Sequence, residues 1–156
     1  MTNQSGQESW PDISGRLIEG GHSFPVRVYY EDTDFTGVVY HAAYLKFIER
    51  ARTNFLRLCG IHHRELGEGV HGEPLAFAVR HMEIDFLKPA RIDDLLEVIS
   101  TIETQKGARF VLSQSVTLFG DTLFRARVTI AVISPDGRPR RLPEGLAKRL
   151  QGQVFA

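Results

Sequence analysis

A chain of 156 residues, 42% hydrophobic and 24% charged, is long enough for one compact domain and too short for two ordinary ones. Its 19 basic residues balance 19 acidic ones, so bulk charge draws it neither to nucleic acid nor to an anionic membrane, and little repulsion opposes self-association. Cys59 is the single cysteine, which excludes an internal disulfide and fits a reducing compartment. No apolar run approaches a membrane span, and residues 1–24 lack the basic start and apolar stretch of a secretory signal, so a cytoplasmic protein is expected.

Residues 1–23 are polar and glycine-punctuated, with Trp10, Ile13, Leu17 and Ile18 as the main apolar interruptions, and read as a flexible extension before a domain spanning 24–142. Residues 25–30 are rich in β-formers and give the first strand. Over 41–59, Tyr44, Leu45, Ile48, Ala51, Phe55 and Leu58 recur at mostly three- and four-residue steps, while Lys46, Arg50, Asn54 and Arg57 take other positions. The spacing predicts an amphipathic helix of about five turns, ended by Gly60.

Residues 61–74 carry no sustained period and form a connection. Residues 75–88 read as a long strand, with Ala76, Ala78, Met82, Ile84 and Phe86 on one face; on the other, Leu75, Phe77 and Val79 give way to His81, Glu83 and Asp85. Residues 89–94 turn the chain. Strands are expected at 95–105, 108–119 and 122–134, joined at Lys106-Gly107 and at Gly120-Asp121, the latter with a type II′ signature. Residues 143–156 form a tail with one short amphipathic turn. The late connections are too short for crossovers, so the sheet is antiparallel. The expected fold class is α+β, one long helix packed on a curved antiparallel five-stranded sheet.

The chemistry gathers between the first strand and the helix, in Tyr30-Glu31-Asp32-Thr33-Asp34-Phe35-Thr36-Gly37-Val38-Val39-Tyr40-His41. Two of its carboxylates, Asp32 and Asp34, fall in a turn, Gly37 can take backbone angles closed to other residues, and His41 stands where the helix begins. A carboxylate beside the free N–H groups of a helix start suits an acyl or anionic substrate. Read by itself, Asp34 is a turn and capping residue.

This loop, with Val26-Arg27-Val28-Tyr29-Tyr30, Phe47-Ile48-Glu49-Arg50-Ala51-Arg52 and Lys88-Pro89-Ala90-Arg91-Ile92-Asp93-Asp94, resembles the hotdog-fold acyl-CoA thioesterases related to 4-hydroxybenzoyl-CoA thioesterase, in particular the Tol-Pal-associated YbgC family. The likeness covers residues 25–142. It implies a homodimer or homotetramer with sites between subunits, acyl-CoA as substrate, acyl carrier protein as a candidate partner, and neither cofactor nor metal. It also implies that Asp34 is the catalytic carboxylate, acting as nucleophile or general base. The backbone N–H of His41 would polarise the thioester carbonyl, with Tyr30 and the His41 side chain as further members. Gly37, Val38, Val39 and Tyr40 would meet the substrate. Lys88 and Arg91, with Arg138, Arg140 and Arg141, are candidates to meet the phosphates of coenzyme A, against the plainer reading of solvated residues in surface turns. Phe35-Thr36 departs from the small residues or Pro-Ala more familiar there, which bears on loop shape and acyl-pocket size.

Elsewhere the plainer readings win. Asp32 is a scaffold for loop N–H groups, and Glu49 forms a structural salt bridge with Arg52 or Arg27. Cys59 is a core residue, and His62, His63, His71 and His81 lack a metal-ligand spacing. Three functions compete: acyl-CoA hydrolysis, a module that binds acyl carrier protein or an acyl chain with incidental hydrolysis, and a hotdog dehydratase. The last lacks the His-first loop.

Overall fold

The computed structural model describes residues 15–153; the sequence expectations for 1–14 and 154–156 lie outside them. One long helix, α1 (Ala43–Leu58), packs on one face of a sheet. A period of 3.6 residues puts Tyr44, Phe47, Ile48, Ala51 and Phe55 on one side, and all five are buried. Burying each large apolar side chain contributes about 1.5–3 kcal/mol. Leu45, expected on that stripe, sits roughly 100° round the axis from Tyr44 and is exposed, and Phe47 takes the core position instead. Leu58, in the last turn, is exposed as well.

The sheet contains β1 (Arg16–Ile18), β2 (Gly21–Arg27), β3 (Ala76–Phe86), β4 (Leu95–Lys106), β5 (Arg109–Leu118) and β6 (Asp121–Ile133), in the order β1-β2-β4-β5-β6-β3. Every pairing is antiparallel. The expected α+β class holds, with six strands rather than five. The added strand and the start of β2 fall at 16–23, read from the sequence as a flexible extension. Polar residues hid them. His22 is fully buried, stacked 5.0 Å from the Phe55 ring, with Nε2 2.6 Å from Asn54 Oδ1. Gly15 closes over this pair so tightly that a Cβ there would meet Asn54 Oδ1 at 2.6 Å and Ser23 O at 2.8 Å. Beside it Gln114 satisfies a second buried polar group: it accepts from Arg52 at 3.0 Å and donates to Ile48 O and Ser100 Oγ, both at 2.9 Å.

Strand β3 corrects the face assignment made from alternation. Arg80 is skipped between the pairs Val79–Ile130 and His81–Thr129. This bulge shifts the period by one residue, so Phe77 and Val79 share the helix-side face with Met82, Ile84 and Phe86, while Ala76 and Ala78 do not. β3 also pairs with β6 rather than with its neighbour in sequence, β4. Residues 87–94 therefore cross the end of the sheet, anchored where Leu87 and Lys88 both donate to Leu123 O. That crossing carries Ala90 to the start of α1.

The β5–β6 turn is also corrected. Its central residues are Phe119 and Gly120, both at positive φ (50° and 80°) as a type I′ turn requires, one residue earlier than expected. A short helix α2 (His63–Gly67) lies in the 61–74 connection. In the tail, α3 (Glu144–Gln151) is two turns long and buries Leu146 and Leu150. Arg149 Nη1 in α3 donates to Gly60 O at the end of α1.

Burial lowers the pKa of His22, partly opposed by its bond to Asn54. The unfolded chain is then protonated first, so the stabilisation is complete above about pH 6.5 and is lost as pH falls from there through the folded value. Urea unfolding from about pH 7.5 to 5 should show this loss, and His22→Gln should remove part of it. His63, also lowered by burial, supplies more of the same sign. An unchanged pH slope in His22→Gln would contradict the assignment.

Candidate active site

The loop after β2 is a small hairpin. A 3₁₀ turn at Tyr30–Asp32 opens it, closed by Asp32 Oδ2 accepting the Tyr29 N–H at 2.9 Å, which is the scaffold role expected for Asp32. Thr33 then bridges Val39, Asp34 N–H donates to Val38 O at 2.8 Å, and Gly37 N–H donates to Asp34 O at 3.0 Å. Gly37 has φ +85°, the left-handed geometry that lets a three-residue loop close with a bulge. On its other side the hairpin is tied to the crossing segment: Val38 bridges Arg91, and Val39 N–H donates to Ala90 O at 2.8 Å. Tyr40 N–H donates to Asp32 O at 2.8 Å, which sets the entry to α1.

Asp34 stands exposed at the tip. Its Oδ1 accepts two hydrogen bonds from Thr36, from Oγ1 at 2.5 Å and from N–H at 2.8 Å, whereas Oδ2 accepts none among the described residues. These bonds, the Thr36 hydroxyl first, hold the carboxyl below the usual aspartate range, with a smaller contribution from His41. Tyr30, Thr33, Asp34, Phe35, Gly37 and Ile92 line an open pocket of about 650 Å³. Tyr30 and Phe35 are largely exposed around it.

Helix α1 starts at Ala43, two residues later than expected, with Ala42 as its N-cap. His41 lies just before that cap, and among the described residues no acceptor takes its N–H. Its ring is exposed, 4.5 Å from the Tyr40 ring and edge-on to Phe86 at 6.2 Å. Gly37 forms the turn, Val38 is half-buried, Val39 is buried and Tyr40 is exposed. Asp34, Tyr30 and Gly37 therefore share one pocket, whose lining does not include His41.

The outlying basic residues are less free. Lys88 is paired with Asp121 at 2.7 Å, Arg138 with Asp136 at 3.2 Å and Arg140 with Glu73 at 3.3 Å, whereas the backbone N–H of Arg91 binds Asp94. Glu49 forms neither expected salt bridge. It accepts from Thr53 at 3.1 Å, because Arg52 turns inward to Gln114 and Arg27 reaches Asp93 O. Cys59 is half-buried and its thiol is pushed up to about 11, so it stays protonated. Among the described residues no three His, Cys, Asp or Glu side chains gather as a metal site, and no helix is long and apolar enough to cross a membrane. The sequence tied Thr36 only to loop shape and pocket size, not to the Asp34 carboxylate, and gave Ile92 no role. The Asp-x-Thr spacing is a local signal for the first, since such hydroxyls bond carboxylates two residues away, but nothing local marks the second.

Open space surrounds Gly37, so backbone strain alone decides what can replace it. Gly37→Ala should cost about 1–2 kcal/mol in urea unfolding, with Gly37→Asn recovering part of the loss. Equal stability of Gly37→Ala and the parent would contradict the left-handed geometry.

The thioesterase superfamily model matches residues 36–124. An acyl-CoA thioester hydrolase YbgC from Escherichia coli O6:H1 is 42% identical over 125 residues, 79% of this chain and 90% of that protein. The acyl-CoA thioesterase YbgC of Haemophilus influenzae is 44% identical over 77% of this chain and 85% of that protein. A crystal structure of a probable thioesterase from Bartonella henselae superposes with a TM-score of 0.77 at 51% identity, covering 79% of this chain and 99% of that one. With a helix on an antiparallel sheet and this loop at the helix start, the chain belongs to the thioesterase superfamily, as a hotdog-fold thioesterase of the YbgC type.

Proposed function

We propose that the chain hydrolyses the thioester of an acyl-CoA to the free acid and coenzyme A, with Asp34 as the reactive carboxylate. One observation carries this reading: a carboxylate with one unengaged oxygen opens onto a pocket in the loop that runs into α1, where the His41 N–H has no acceptor among the described residues. The printed activity of the YbgC relatives supports the substrate class. A thioester is already activated, so a weakly basic carboxylate suffices once the oxyanion is held. A fixed donor such as the His41 N–H contributes roughly 3–4 kcal/mol there, and the α1 dipole adds to it.

Two routes fit the geometry. As general base, Asp34 Oδ2 takes a proton from water while the water oxygen attacks the carbonyl carbon, and the tetrahedral oxyanion expels the thiolate, which is then protonated. As nucleophile, Oδ2 attacks the carbonyl carbon itself, expels the thiolate and leaves a mixed anhydride for water to cleave. Both routes need Asp34 ionised, and its lowered pKa keeps it so at neutral pH.

The outer edge of β3, 11 residues long, pairs with nothing among the described residues. Such an edge is a template for another strand, and we assign it to a homodimer joined β3 to β3.

Asp34→Asn should fold as the parent does and lose at least about a hundredfold in turnover of an acyl-CoA panel, read by free thiol release. Undiminished turnover would remove Asp34 from the chemistry. Negligible turnover by the parent, with capture of acyl carrier protein that survives the substitution, would favour a binding module instead. Sedimentation should give at least twice the 17.6 kDa chain mass; a monomer at micromolar concentration would contradict the β3 assignment.

A further inference from the structure

We infer that Thr36 is a positioning residue of this site, gripping Oδ1 of Asp34 with its hydroxyl and N–H so that Oδ2 alone faces the substrate. The inference rests on the proposal that Asp34 is the reactive carboxylate. Asp34 is exposed at a hairpin tip, where little packing fixes its side chain. The terminal torsion of an aspartate is broad and roughly two-fold, so an ungripped carboxylate would exchange its oxygens freely. Two donors from one residue on the same oxygen, at 2.5 and 2.8 Å, remove that freedom. The Thr36 N–H is itself aimed by the turn that Asp34 O and Gly37 N–H close at 3.0 Å. Misplacing a reacting atom by about 1 Å can cost a hundredfold, so orienting one oxygen has kinetic weight.

The hydroxyl adds what the backbone does not. Any residue but proline at 36 supplies the N–H; only a β-hydroxyl supplies the 2.5 Å bond. Neighbouring charges do not replace it. Tyr40 and His41 before α1, Tyr29, Tyr30, Glu31 and Asp32 at the 3₁₀ turn, and Lys88, Arg91, Asp93 and Asp94 in the crossing segment are the titratable or charged groups of the loop and of the segment tied to it, and none hydrogen-bonds either Asp34 carboxylate oxygen among the described residues. Removing the hydroxyl should therefore loosen the carboxylate and make its protonation easier.

The test compares the parent with Thr36→Ala, Thr36→Val, Thr36→Ser and Asp34→Asn, following kcat and KM for the best-turned-over acyl-CoA from about pH 4 to 8. Thr36→Ala and Thr36→Val should lower kcat about tenfold with KM nearly unchanged and move the acid limb of kcat/KM to higher pH, and Thr36→Ser should restore both. An inactive Asp34→Asn beside a Thr36→Ala with parental or raised kcat and an unmoved limb would overturn the role of Thr36 alone. So would a Thr36→Ser as impaired as Thr36→Ala. An active Asp34→Asn would overturn the reading beneath it. Should the alanine variant fail to fold, the serine–valine pair decides the matter by the same criteria.

Discussion

The backbone of Ala90 joins the three parts of the molecule that make the site. Fully buried, it accepts the Val39 N–H at 2.8 Å through its carbonyl, and its own N–H reaches the Tyr44 hydroxyl at 3.3 Å. The first bond holds the hairpin that carries Asp34, the second holds the first turn of α1, and Ala90 itself belongs to the segment crossing from β3 to β4. Buried peptide groups must be satisfied, so each part is fixed by the needs of the others. Tyr44 is held in turn by parallel stacking on Phe124 at 4.8 Å and edge contact with Phe86, and this links the site to the sheet's core.

A rigid frame with an exposed tip fits the chemistry. The backbone of the loop is bonded at many steps from Tyr29 to Tyr40, yet the Asp34 carboxylate stays in solvent reach. Asp34 therefore avoids the burial that raises carboxyl pKa values, and its bonds to Thr36 act in the opposite direction. It stays ionised across the neutral range, a requirement of either proposed route. Water access has a cost in electrostatic strength. Closure of the open pocket would reduce that cost, because fixed donors act more strongly where water is excluded.

Much of this was legible in the sequence. The crowding of Asp32, Asp34, Gly37 and His41 ahead of a strong helical period marked the candidate site, and the glycines at 107 and 120 marked the hairpins. What stayed hidden depends on long-range pairing. His22 and Ser23 look like surface residues until Asn54 and Ser100 cover them, so residues 16–23 read as extension rather than strand. Alternation along β3 could not reveal the extra residue at Arg80, since one bulge exchanges the faces of everything after it. The crossing to β4 was invisible because consecutive strands more often pair than not. Glu49 missed its expected partners because Arg52 had a buried one, Gln114, 62 residues away.

In the proposed reaction the Asp34 carboxylate is the ionising group of catalysis. Carbon-detected NMR of the labelled aspartate side chains would titrate Asp34 directly, alongside the acid limb of kcat/KM for the parent enzyme. The two midpoints should coincide, below the ordinary aspartate value. An acid limb set well apart from the Asp34 titration would contradict that role.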